Sequence, residues 1–136
     1  MTTQVSSFNN ATVFSDIDPS FTRNPKTGDL LLVKDDRSVK QSISNLLNTS
    51  FGERLFQPLL GGSLRRFLFE PIDPVTTIEM RDCVFDVIRK YEPRVGRLFV
   101  DITAYPGENT YTIDVEYGIN PIGRTDKLTV VLERIR

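Results

Sequence analysis

The side chains best suited to chemistry in this chain are carboxylates, because the sequence contains no histidine and a single cysteine, Cys83. Without histidine the chain lacks the commonest general base at neutral pH and the commonest metal ligand. This excludes a Ser-His-Asp triad, a Cys-His pair and an ordinary zinc site made within the chain. One cysteine also excludes an intramolecular disulfide. The sequence therefore predicts no metal and no cofactor.

An enzymatic activity would have to depend on paired carboxylates, as in glycoside hydrolysis, where two acids flank the scissile bond. Glu53, Glu70, Glu92 and Asp101 have the required chemistry. Nearly every acid in the sequence, however, fits a helix cap, a turn or the polar face of a strand. Tryptophan, whose ring commonly stacks on sugars, is absent. We therefore predict no catalytic residue and keep a peptidoglycan-cleaving activity as the alternative.

The most informative local element is Tyr91-Glu92-Pro93-Arg94. Proline restricts its own φ and moves the preceding residue out of the helical region, which predicts a helix end followed by a stiff extended segment. Residues two apart in an extended segment point the same way, so Glu92 and Arg94 would project together. A rigidly held arginine fork suits a carboxylate of a partner. An internal salt bridge or a simple helix stop explains the same spacing.

Two further elements are candidate partner-binding sites. Glu53 and Arg54 place an acid and a base beside the turn at Gly52, although most such pairs are solvated surface contacts. Val131 and Ile135 lie on the face of the last strand where the preceding strand carries threonine and acids. Either the N-terminal arm covers this face, or the strand is a sheet edge reserved for another chain.

Charge and hydropathy limit the partners. The formal net charge is -1, which argues against neutralising nucleic-acid phosphates as the main task. No stretch approaches the roughly 20 apolar residues needed to span a bilayer. The first residues lack the basic start and apolar run of a secretion signal. The sequence thus predicts a soluble protein made in a cytoplasm, with no nucleic-acid or membrane partner.

Apolar periodicity predicts three helices. The first begins near Asp36, whose carboxylate suits an N-cap, and the second is short and ends at Glu70-Pro71. The third and longest begins at Asp73-Pro74, with aspartate as the cap and proline at the first helical position, and ends before Pro93. The apolar stripes of the first and third helices consist of Val39, Ile43, Leu46 and Leu47, and of Met80, Val84, Val87, Ile88 and Tyr91.

The last third of the chain changes to a period of two. Alternating residues around 98–104 and 111–117, and a third segment at 128–135, predict three strands with one buried face each. The predicted fold class is α+β, with three helices packed on a small antiparallel meander of about three to four strands. We expect an extended N-terminal arm over residues 1–29 and a single α+β domain over residues 30–136.

Taken together, these motifs resemble a known family, the small wedge proteins of contractile-tail baseplates, often called lysozyme-like or gene-25-like. The resemblance covers most of the chain and rests on motifs in a matching order and spacing: Phe14-Ser15-Asp16-Ile17-Asp18 with Phe21, Thr27-Gly28-Asp29, Val39 to Ile43 with Leu46-Leu47, Thr49-Ser50-Phe51-Gly52-Glu53-Arg54, Pro58, Gly61, Leu68-Phe69-Glu70-Pro71, and Tyr91-Glu92-Pro93-Arg94-Val95. Relatives occur in contractile-tailed phages and in type VI secretion baseplates.

The resemblance implies a structural role. In this family the Glu92-Pro93-Arg94 element lies at a contact with other wedge subunits, and one end of the sheet faces the first ring of sheath subunits. The expected partners are therefore other baseplate wedge proteins and the tail sheath protein. The expected location is the virion tail baseplate, assembled in the cytoplasm of the bacterial host.

Overall fold

The computed structural model describes residues 14–120 and 122–134 of the chain. It divides the chain into two compact units, with the boundary between Ser38 and Val39. The α+β class predicted from the sequence is confirmed. Among the described residues there are two α-helices, one 3₁₀ helix and five strands in two antiparallel sheets.

The first unit contains a two-stranded antiparallel sheet formed by β1, Ser15–Ile17, and β2, Leu32–Lys34. The chain turns before Asp29, where Gly28 has a φ of 76° and its N–H donates to the carbonyl of Asn24 at 2.8 Å. A positive φ there favours glycine, which has no Cβ to clash. Residues 1–13 of the predicted arm lie outside the described residues.

The α-helices agree closely with the predicted ones. Helix α1 spans Asp36–Asn48, and its predicted stripe is 0–7% exposed. Helix α2 spans Pro74–Tyr91, and the Asp73 carboxylate accepts a hydrogen bond from the backbone N–H of Thr76 at 2.7 Å. This capping bond satisfies one of the free N–H groups of the first turn and lowers the pKa of Asp73.

The second predicted helix is a 3₁₀ helix, Leu64–Phe69. Its buried residues, Leu64 and Phe67, are three apart, which matches the three-residue turn of this helix type. Gly62 before it and Pro71 after it leave room for only a short segment. Short helices of this kind are the usual form of 3₁₀ structure.

The larger sheet has the strand order β3-β4-β5, with β3 at Val95–Tyr105, β4 at Thr110–Ile119 and β5 at Arg124–Glu133. The predicted alternation is confirmed on the central strand, where Tyr111, Ile113, Val115 and Tyr117 are 0–1% exposed. Helix α2 packs against β3. Phe99, Asp101 and Thr103 point to the opposite, exposed face of β3.

Candidate docking site

The connection between α2 and β3 is a β-turn over Glu92–Val95. The backbone N–H of Val95 donates to the carbonyl of Glu92 at 3.2 Å, with Pro93 at the second turn position, where its fixed φ is favoured. The sequence predicted a stiff extended segment after the helix end, and the turn shows that this expectation is wrong. Glu92 has φ -122° and ψ 82°, outside the helical region, as expected before a proline.

The turn brings Glu92 and Arg94 into a two-pronged ion pair. Nε of Arg94 donates to Oε1 of Glu92 at 2.5 Å, and Nη2 donates to Oε2 at 2.8 Å. The Glu92 side chain is 2% exposed and the Arg94 side chain 21%. The internal salt bridge, one of the interpretations open from the sequence, is therefore present in the fold. Parallel N–H···O bonds of this type are among the strongest side-chain contacts.

Opposing effects act on the Glu92 carboxyl group. Burial by itself raises its pKa, but the hydrogen bonds from Arg94 and Ser42 and the positive charge of Arg94 outweigh burial, so that the pKa is lowered from its usual 4.5. Glu92 is therefore a buried carboxylate that stays ionised. Ser42 lies on α1, so this carboxylate connects the first helix to the α2–β3 turn.

This lowered pKa predicts a specific acid sensitivity. The pKa of Glu92 is lower in the folded state than in the unfolded state. The ionised Glu92 carboxylate therefore stabilises the fold above about pH 4.5, and this stabilisation is lost as the pH falls through the folded-state pKa. We expect Glu92→Gln to remove this part of the pH dependence of the free energy of unfolding. Urea unfolding of both proteins between pH 3 and 7 checks it; parallel curves for the two proteins would contradict it.

Glu53 and Arg54 lie on an exposed loop after α1. Oε2 of Glu53 accepts a hydrogen bond from the backbone N–H of Ser50 at 2.9 Å, so this carboxylate stabilises its own turn. The N–H of Gly52 donates to the carbonyl of Pro58 at 2.7 Å and closes the loop. Arg54 is exposed on the same loop.

The same loop carries an apolar surface that the sequence reasoning missed. Every residue from 51 to 59 is exposed, and Leu55 and Phe56 are 91% and 97% exposed. The sequence contained part of the signal, because two large apolar residues in a segment interrupted by Gly52 and Pro58 fit neither a helix stripe nor a strand. Their exposure is visible only in the fold. We name residues 51–60 the apolar loop.

Val131 lies on the outer face of β5 and is 60% exposed. It is paired in register with Thr112 of β4. Among the described strands, β5 has β4 as its single neighbour, so no strand pairs with its other side, which we name the open edge of β5. This strand also packs against the 3₁₀ helix, and β3 forms the second edge of the sheet. Ile135, the second residue predicted for this surface, lies outside the described residues.

The four candidate catalytic carboxylates occupy different structural settings. Glu70 caps the 3₁₀ helix through its backbone N–H, and Asp101 lies on the exposed face of the sheet, in register with Asp114. The buried Glu92 has a lowered pKa, whereas a glycosidase needs one carboxyl group whose pKa is raised. Over residues 14–120 and 122–134 no cluster of three potential metal ligands is present, and no helix is apolar and long enough to cross a membrane.

The described residues thus show an α+β fold with an ionised Glu92–Arg94 pair whose carboxylate is buried, an exposed apolar loop and a side of β5 that no strand pairs. Residues 33–121, about two thirds of the chain, match the family model of the baseplate wedge protein gp25. The chain therefore belongs to the gp25 family of baseplate wedge proteins.

The chain is also similar to individual proteins. The chain is 31% identical over 116 residues to baseplate wedge protein gp25 of Enterobacteria phage T4, covering 85% of this chain and 86% of that protein. A crystal structure from Geobacter sulfurreducens, described as a candidate tail lysozyme, superposes with a TM-score of 0.67 at 25% identity, covering 78% of this chain and 96% of that one. A chain of the anti-feeding prophage baseplate has a TM-score of 0.62 at 24% identity, covering 87% and 83%, and shows the shared fold.

Proposed function

We propose that this chain is a structural subunit of the baseplate of a contractile injection machine, where it ties wedge subunits together and contacts the first ring of the sheath. The observation that supports the sheath contact best is the open edge of β5. This strand has ten residues, which is long for an edge, and it carries the exposed Val131 on its outer face. Unpaired strand edges are ready templates for a strand from another chain.

The contact with other wedge subunits is proposed for the Glu92-Pro93-Arg94 turn and for Glu53 and Arg54. Pro93 is exposed and Arg94 is partly exposed, so these two residues present the turn to a partner. Glu92 is buried and acts in this proposal through Arg94, whose guanidinium it orients. A guanidinium aimed in this way loses less side-chain entropy when a partner carboxylate binds it.

We also propose that the chain has no catalytic activity. The opposing candidate is peptidoglycan cleavage, suggested by the description of the Geobacter relative as a candidate tail lysozyme. A lysozyme-type mechanism needs a protonated carboxylic acid near neutral pH. Purified protein is expected not to clear a cell-wall suspension. Clearing that is lost in Glu53→Gln or Glu70→Gln would replace the structural proposal by the enzymatic one.

The sheath contact is tested by placing a charge beside the open edge. Val131→Lys is expected to leave the thermal unfolding midpoint unchanged within a few degrees, because residue 131 is exposed. Particles assembled with this variant should contain the chain in their baseplates but carry several-fold less attached sheath by electron microscopy and immunoblotting.

The matched control is Phe99→Lys, which changes a residue that is 63% exposed on the outer face of β3, at the other side of the sheet. It is expected to leave sheath attachment intact. Equal sheath loss in both variants, or none in Val131→Lys, would contradict the proposed contact. Absence of the wild-type chain from baseplates would contradict the structural role itself.

A further inference from the structure

The apolar loop exposes more hydrophobic surface than a solvated connection requires. Leu55 and Phe56 are almost completely exposed, and Phe51 and Leu59 beside them are 52% and 71% exposed. Single exposed apolar residues are common, whereas a contiguous group of large ones marks an interaction surface. Neither the Glu92–Arg94 turn nor the β5 edge accounts for this group.

The loop is held in one conformation by its own hydrogen bonds. In addition to the Gly52–Pro58 bond, the N–H of Leu60 donates to the carbonyl of Gln57 at 3.0 Å. The hydroxyl of Tyr91 on α2 donates to the carbonyl of Leu59 at 2.7 Å. Because its apolar side chains are displayed on an ordered frame, less entropy is lost when a partner covers them.

An apolar groove lies beside the loop. It has a volume of about 380 Å³, and its walls include Phe51 and Leu59 of the loop together with Val87 and Tyr91 of α2. Loop and groove share Phe51 and Leu59, so they form one continuous surface with a projecting part and a concave part. We name this combined area the loop–groove surface.

The charged side chains around the groove indicate which charges a partner should carry. Arg66, Lys90 and Asp86 are exposed on its lining, giving two cations and one acid. Arg66 lies over the ring of Phe67 at 4.7 Å and Lys90 over the ring of Tyr91 at 5.1 Å. Within the described parts of the chain, neither cation has a carboxylate at salt-bridge distance. The groove is thus complementary to an apolar segment flanked by acids.

The backbone of the loop distinguishes a helical partner from an extended one. Strand addition needs a row of unpaired N–H and C=O groups, but the N–H groups of Gly52, Glu53, Gln57 and Leu60 are used in the loop's own turns. A helix satisfies its backbone internally and binds through side chains at every third or fourth position. Such a face matches a surface that offers side chains and no backbone ladder.

We propose that the loop–groove surface is the docking site for an amphipathic helix of a neighbouring baseplate chain, with an apolar face and acidic residues along its margin. Leu55 and Phe56 pack beside that helix, while Arg66 and Lys90 pair with its acids. This proposal rests on the proposed structural role in one respect, namely that a neighbouring baseplate chain supplies the helix.

Photocrosslinking in assembled particles tests the proposal. Phe56 is replaced with a photoreactive phenylalanine analogue, and crosslinked peptides are identified by mass spectrometry after the chain's presence in baseplates has been verified. We expect a peptide from another chain with apolar residues at helical spacing and flanking acids.

The same analogue at Phe99 should not yield this peptide. A peptide from a second copy of this chain, a peptide with alternating strand-like pattern, or no crosslink overturns the proposal. Absence of the chain from baseplates overturns the structural role as well.

Substitutions give an independent readout. Leu55→Ser with Phe56→Ser is expected to lower particle yield at least about tenfold, since buried aromatic and aliphatic anchors dominate interfaces. Lys90→Glu should lower the particle yield several-fold and make that yield less dependent on the salt concentration. The matched control, Val75→Ser with Ile78→Ser, changes two exposed apolar residues of α2 that are 62% and 49% exposed, and should stay within about twofold of wild type. Equal losses in test and control overturn the proposal.

Discussion

Replacing Arg94 with Met is expected to lower the free energy of unfolding by roughly 2–4 kcal/mol at pH 7, because it leaves a buried carboxylate without its counterion. Met is close to Arg in length but lacks charge and donors. The Glu92 side chain is 2% exposed and cannot recover its hydration without opening the α2–β3 turn. Burial would then raise the pKa of Glu92, so mild acidification should destabilise this variant less than wild type.

The double variant Glu92→Gln with Arg94→Met separates the effect of losing the ion pair from the effect of altered side-chain packing. It is expected to be more stable than Arg94→Met alone, because the uncompensated charge is gone. Arg97→Met, which changes an exposed arginine on β3, should change the free energy of unfolding by less than about 0.5 kcal/mol. Urea unfolding gives the free energy of unfolding of the wild type, Arg94→Met, the double variant and Arg97→Met. A double variant no more stable than Arg94→Met would contradict the role assigned to the Glu92 charge.

Replacing Gly61 with Ala is expected to lower the free energy of unfolding by at least about 2–3 kcal/mol or to prevent folding. Gly61 has a φ of 107°, which side-chain-bearing residues rarely adopt, and an added Cβ would lie 2.1 Å from the backbone carbonyl oxygen of Thr49. The backbone of Thr49 cannot move freely, because its carbonyl accepts the N–H of Gly62 at 3.2 Å.

Two other glycines divide this effect into its parts. At Gly52, with a φ of 80°, an added Cβ meets nothing within 4 Å, so Gly52→Ala reports the backbone strain alone. At Gly107 there is likewise open space, and its φ lies outside the strained positive range, so Gly107→Ala should be close to neutral. Thermal and urea unfolding are expected to rank the losses as Gly61, then Gly52, then Gly107. Equal effects at Gly61 and Gly52 would show that the contact with Thr49 is unimportant.

Local patterns in the sequence were sufficient for the two α-helices and for the strands of the larger sheet. Helix α2 begins at Pro74 after the capping Asp73 and ends at Tyr91 before Glu92-Pro93, as the sequence predicted. These signals act over a few residues, through free N–H groups at the helix start and through the steric effect of proline at its end. The buried face of β4 followed in the same way from a period of two.

The tertiary structure decided which side chains meet and which remain exposed. Spacing placed Glu92 and Arg94 on the same side of the chain but could not show that α1 would supply Ser42 to the carboxylate and bury it. Nor could it show that Leu55 and Phe56 would stay exposed, since apolar residues in a loop often fold back onto a core. Burial depends on elements distant in the sequence, whereas helix ends and strand alternation depend on neighbouring residues. Therefore the two α-helices and the three strands of the larger sheet follow from the sequence, whereas the pairing of β1 with β2 and the candidate docking surfaces required the fold.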